Sequence, residues 1–98
     1  MRVALAVVAL LVGCGGEYKE ISADAGDATS GEALFSTNCS GCHGADATGS
    51  ESGPDIAGIE DSDETIGIIM EGDGSMPAFG ESLSDQDVSD ILAWLGGL

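Results

Sequence analysis

Val3 to Val12 form an unbroken apolar run, and beyond it the apolar residues are spaced rather than contiguous. Thr29 with Glu32 has capping-box spacing and precedes Ala33, Leu34 and Phe35, which predicts a helix from about Ser30 into the cysteines at 39 and 42. Asp61 with Glu64 repeats that spacing ahead of Ile66, Ile69 and Met70, which share one helical face, and Gly72 supplies a stop. Ser84 caps a third segment, where Val88, Ile91, Leu92 and Leu95 make an apolar stripe and Gly96 ends it. Period-2 alternation is nowhere sustained, so the pattern predicts an all-α chain.

The spaces between these stripes define the organisation. Gly15 to Ala28 is small, polar and without periodicity, and reads as a flexible tether. From Thr29 onward there is neither a repeat nor a second boundary, so 29–98 is one compact domain. Its helices are joined by the glycine-rich loops "GADATGSESGPDIAG" and "GDGSMPAFGESL". A unit this small, with 4% aromatic residues in the chain, buries too little apolar area by itself. Something other than side chains is expected to fill its middle.

The leader has its own chemistry. Arg2 precedes the apolar run and the small residues Gly13, Cys14 and Gly15 follow it, the layout of a secretory signal. The run is too short for a spanning helix of ~20 residues. Its end, "LVGC", resembles the lipobox of bacterial lipoproteins. That resemblance implies a signal peptide over 1–13, cleavage before Cys14, lipid on that cysteine, and residues 14–28 as lipidated N-terminus and tether. A plain signal peptide and a short core helix are the competing readings. Acyl chains contribute ~0.8 kcal/mol per buried CH₂, so more than one holds a protein stably at a membrane. The implied location is the periplasm-facing cell envelope, and Gly15 after the lipid cysteine favours the outer membrane.

Charge narrows the partners. The chain carries 18 acidic against 2 basic residues, a formal net charge of −16. Once Arg2 leaves with the leader, Lys19 is the only basic residue. Such a field repels nucleic acid and anionic lipid and favours a partner with a basic face. A merely solvated surface explains the acids equally well.

The remaining cysteines carry the densest chemical signal. Cys39, Cys42 and His43 form C-x-x-C-H, the attachment pattern of c-type haem, and His43 is the only histidine. Thiols two residues apart reach two vinyl groups along one porphyrin edge, and the adjacent imidazole comes under the iron. A structural zinc site needs four ligands and a second cluster, which this chain lacks. A thioredoxin-like motif needs a βαβ context, which is also missing. A disulfide between Cys39 and Cys42 is the remaining alternative in an oxidising compartment.

Together, "GEALFSTNCSGCHG", "GPDIAG", "MPAF" and "LSDQDVSDILAWL" resemble, in order, the first helix and haem site, proline loop, methionine loop and last helix of the small class I cytochromes c. The resemblance spans Gly31 to Leu95. It implies a cytochrome c-like fold of three main short helices and glycine-rich loops wrapped around one covalent haem. Carried over, it implies thioether bonds from Cys39 and Cys42, proximal ligation by His43, a backbone carbonyl of Pro54 accepting from the imidazole, and Met76 as sixth ligand. Met70 is a rival, but it continues the Ile66–Ile69 face and reads as packing. Phe35 and Trp94 match positions where first and last helices cross, with Gly31 allowing close approach; Phe79, Leu83 and Ile56 are expected to line the haem. The chain departs from the family in having no Lys or Arg between Glu20 and Leu98, which leaves the haem propionates to backbone N–H groups, hydroxyls, Asn38, Gln86 or the Trp94 indole N–H, or leaves them solvated. Tyr18, in the tether, has no expected role.

The function implied is single-electron transfer by a membrane-tethered monohaem cytochrome, not an enzyme, because two axial ligands suit transfer better than oxygen chemistry. Two alternatives stand beside it. A haem-based ligand sensor or small peroxidase would need a labile sixth ligand, and a cytochrome subunit permanently docked to an oxidoreductase would use the tether for assembly.

Overall fold

The computed structural model describes Tyr18 and residues 20–98. The signal peptide and Cys14 lie outside the described residues. A 3-10 turn at Ala23–Ala25 is followed by α1 (Ala28–Asn38), α2 (Ser40–His43), α3 (Asp63–Glu71) and α4 (Asp85–Gly96). The described residues contain isolated bridges at Ser50–Gly53 and Asp73–Met76 but no extended strand.

Each long helix starts where a side chain satisfies orphan amides. Asp27 caps α1, its Oδ1 accepting from Thr29 N at 2.9 Å and Ser30 N at 3.3 Å. The helix therefore begins two residues before the expected Ser30, because a carboxylate that takes two amides outcompetes the Thr29 hydroxyl. Ser62, not Asp61, caps α3 through Thr65 N. Asp61 is used elsewhere: its Oδ2 accepts from Ala23 N at 2.8 Å. Ser84 caps α4 as expected, and Asp87 makes the cap a reciprocal capping box.

The core sits where α1 crosses α4. A Cβ on Gly31 would stand 1.8 Å from the carbonyl oxygen of Asp90, so this glycine lets one backbone lie directly on the other. Phe35 is fully buried beside it, its ring centroid 4.9 Å from that of Trp94 at 46°. Val88, Ile91, Leu92 and Leu95 bury the stripe of α4, and Ile66 brings in α3. Burial of such side chains contributes about 1.5–3 kcal/mol each, the main term holding the pair together.

Residues 20–28 are not a loose tether. Ile21 is 3% exposed within the core cluster. Ser22 N donates to Ser89 Oγ at 3.1 Å, Asp27 N to Asp90 Oδ1 at 2.8 Å, and Gln86 Nε2 to Ala25 O at 2.9 Å. Gly26 passes so close to α4 that a Cβ there would lie 2.0 Å from Ser89 O. Tyr18, expected to be inert, donates its hydroxyl to the Glu71 carboxylate. Ile21, with Ala23 and Tyr18 packed against the same core, and hydrogen bonds to the segment's backbone dock it, and neither produces the periodicity by which an ordered element is recognised.

Candidate haem site

A cleft of about 720 Å³ opens between the end of α1, α2, α3 and the two glycine-rich loops. Cys39, Cys42, His43, Pro54 and Met76 all line it, with apolar walls from Ile56, Ile59, Ile68, Ile69, Phe79 and Leu95. Leu83, expected on this wall, is instead buried in the core, and Met70 packs against the core cluster. The size lies within the ~300–1,000 Å³ range of cofactor sites.

The C-x-x-C-H segment is shaped by a break in the helix. Cys39 ends α1 and caps α2, whose single turn carries Cys42 and His43. Cys39 and Cys42 form no disulfide with each other, and among the described residues no group of three His, Cys, Asp or Glu side chains is gathered as for a metal ion. Before haem attachment, burial, and secondarily the neighbouring Cys42, pushes the Cys39 thiol up to about 11.

His43 is 7% exposed and its Nδ1 lies 2.9 Å from the carbonyl oxygen of Pro54. A carbonyl can only accept, so Nδ1 carries the proton and Nε2 keeps its lone pair for a metal. The loop that delivers Pro54 is tied back to the motif itself: Gly49 N donates to His43 O at 2.8 Å and Ser50 Oγ to Cys42 O at 2.6 Å. Inside the loop, buried Ala47 has a left-handed backbone (φ 66°), and its carbonyl accepts from Ile56 N and Ala57 N. Gly53 was not singled out from the sequence, yet a Cβ there would lie 2.9 Å from Cys42 O and 3.1 Å from the His43 ring. Its position before Pro54 in "GPDIAG" was the only available signal.

Met76 is held by backbone alone. Asp73 N donates to Met76 O at 3.0 Å and Met76 N to Asp73 O at 2.9 Å, closing a tight loop. Further on, Phe79 N and Gly80 N donate to the carbonyls of Ile69 and Met70, which hang the loop from the last turn of α3. Gly72 turns the chain out of that helix at φ 85°.

The cleft's ionisable lining other than the cysteines and His43 is acidic, Glu51 and Asp73. Of the side chains considered for the propionates, Asn38 lines the cleft with one amide hydrogen committed to Leu34 O. Gln86 does not line it and instead donates to Ala25 and Asp90, while Trp94 stacks on Phe35. The hydroxyls of Ser52, Thr65 and Ser75 do line it.

Two thiols, a lone-pair imidazole and a thioether around one apolar cleft in a helical frame define a c-type haem protein. Residues 26–95 match the family model described as cytochrome c oxidase, cbb3-type, subunit III. Cytochrome c-551 of Bacillus subtilis is 34% identical over 97% of this chain and 90% of its own. Cytochrome c6 of Picosynechococcus is 29% identical over 97% of this chain and 89% of its own. Among solved structures, cytochrome c6 of the diatom Phaeodactylum tricornutum aligns with a TM-score of 0.57 and 25% identity, covering 74% of this chain and 93% of that one. Cytochrome CL of Methylophaga aminisulfidivorans aligns with a TM-score of 0.58 and 31% identity over 68% of this chain, which spans 49% of that longer chain. The chain belongs to the cytochrome c family, whose members carry one covalently bound haem c, and it is a monohaem electron carrier.

Proposed function

We propose that this cytochrome is a His/Met-ligated electron shuttle, anchored by lipid on Cys14 to the periplasm-facing side of the cell envelope. In this reading Cys39 and Cys42 form the thioether bonds, and His43 Nε2 and Met76 Sδ are the axial ligands. The observation that carries it is the His43–Pro54 bond in a cleft also lined by Met76 and both thiols. When bound, the haem supplies an iron centre that gains and loses one electron. The chain supplies everything around it: Pro54 fixes the imidazole and raises its basicity, the Asp73–Met76 loop presents the sulfur, and the apolar walls exclude water.

With His43 and Met76 both holding the iron, no open position would be left for oxygen or peroxide, which suits electron transfer. The partner is a redox protein with a basic docking face, the charge complementary to 18 acids set against Lys19 alone. Absorption spectra of the oxidised and reduced protein, before and after acid-solvent extraction, test the ligation. Retained haem with the low-energy methionine-to-iron band is expected, and its loss in Met76→Ala. An oxidised spectrum lacking that band in the parent protein would rule out Met76 as ligand. Anchoring is tested by lipid labelling of the parent chain and of Cys14→Ala, with label expected only in the parent.

A further inference from the structure

The docked N-terminal segment changes what a lipid on Cys14 would do. With residues 14–28 as tether, the folded unit would hang on fourteen residue steps, up to about 49 Å at ~3.5 Å per residue. The segment does not begin at Ala28, however. Asp27 N is held by Asp90, Ala23 N by Asp61 and Ser22 N by Ser89. Ile21 is buried, its amide donates to Tyr18 O at 3.0 Å, and the Tyr18 hydroxyl reaches Glu71. Counted from Tyr18, four residue steps remain, at most about 14 Å, and even counted from Ile21 the limit is about 25 Å.

We propose that Tyr18 to Asp27 is a strap that holds the folded unit at the membrane surface, with the C-terminal end of α3 as its membrane-facing side. The proposal rests on the lipid-anchor reading. Glu71, the last residue of α3, receives the Tyr18 hydroxyl, and Asp73, two residues on, lines the haem cleft. The strap is therefore fastened two residues along the chain from a residue that lines the cleft. With Arg2 gone in the leader, 18 acids stand against Lys19 alone, and such a field repels an anionic bilayer, so only the leash keeps the folded unit close.

The test uses the full-length lipidated holoprotein in nanodiscs of zwitterionic lipid carrying a headgroup fluorophore, which haem quenches when close. Ten Gly/Ser residues are inserted between Gly16 and Glu17. With the strap docked, the maximum leash rises about 3.5-fold, against about 1.7-fold for a leash running to Ala28. A several-fold fall in quenching is expected, and unchanged quenching overturns the proposal. Hydrogen exchange on the parent holoprotein reads the strap by itself: the amides of Ser22, Ala23 and Asp27 are expected to be protected, and exchange there at unstructured-peptide rates overturns it. A chain that washes off the discs overturns the membrane placement through the anchor reading, a failure that the exchange data separate from failure of the strap.

Discussion

Replacing Gly53 by alanine tests how the imidazole is positioned. The backbone of Gly53 lies outside the left-handed region, so alanine adds no conformational strain and the effect is one of contact. The new methyl would stand 2.9 Å from Cys42 O and 3.1 Å from His43 Nδ1 and Cε1, where ordinary contact begins at 3.4 Å. Relief requires the ring or the Cys42 carbonyl to move by a few tenths of an ångström, and the ring cannot do so without disturbing its 2.9 Å bond to Pro54. Overpacking of this kind costs about 1–3 kcal/mol. A weakened hydrogen bond adds about 0.5–1.5 kcal/mol, for a total of about 1.5–4.5 kcal/mol. Gly67→Ala is the control: it lies inside α3 with nothing within 4 Å of its Cβ, and alanine there is expected to stabilise by about 1 kcal/mol. Guanidinium unfolding of the two oxidised holoproteins should place their midpoints on opposite sides of the parent's. The midpoint potential of Gly53→Ala should rise, because an imidazole that has lost part of its carbonyl partner is a weaker donor to the oxidised iron. Parental stability together with an unchanged potential would refute the positioning role of Gly53.

Other expectations follow from the same geometry. Ile21→Ala should cost about 2–4 kcal/mol, as for core truncations, measured by thermal unfolding; a cost under about 0.5 kcal/mol would mean that the segment is not docked. The Asp46 carboxyl is held below its usual range, first by the Thr48 hydroxyl at 2.7 Å and then by the Thr48 amide. Its folded value lies below the unfolded one of ~3.9, so its contribution is present above that pH and is lost as pH falls through the folded value. The stability difference between parent and Asp46→Asn should therefore shrink on acidification below about pH 4, and a difference that grows would reverse the sign. A net charge of −16 favours the oxidised iron, so raising ionic strength from ~0.01 M to ~0.1 M, which shortens the Debye length from ~30 to ~10 Å, should raise the potential; spectroelectrochemistry would detect a flat or falling response.

Local chemistry was legible in the sequence and tertiary use was not. The stripe of α4 and its Ser84 cap were readable because helix period and capping are written in neighbouring residues. Asp61 shows the limit. As an acid before a helix it reads as a cap, yet it bonds Ala23, 38 positions away, and Ser62 caps instead. Leu83 likewise lies in the methionine-loop region but is buried in the core, a choice made by packing.

By itself, the sequence determined the chemical inventory: one C-x-x-C-H, a methionine before a proline, an almost wholly acidic set of charges and three helices, two of them with an apolar stripe. These follow from residue type and short spacing, which any conformation of the chain retains. Only the tertiary structure decided that Gly53 lies against the imidazole and that residues 20–28 belong to the folded unit, whereas the His43–Pro54 bond was already implied by the family resemblance. Those are contacts between segments far apart in the chain, and they exist only once burial of Ile21, Phe35 and the α4 stripe has brought the segments together.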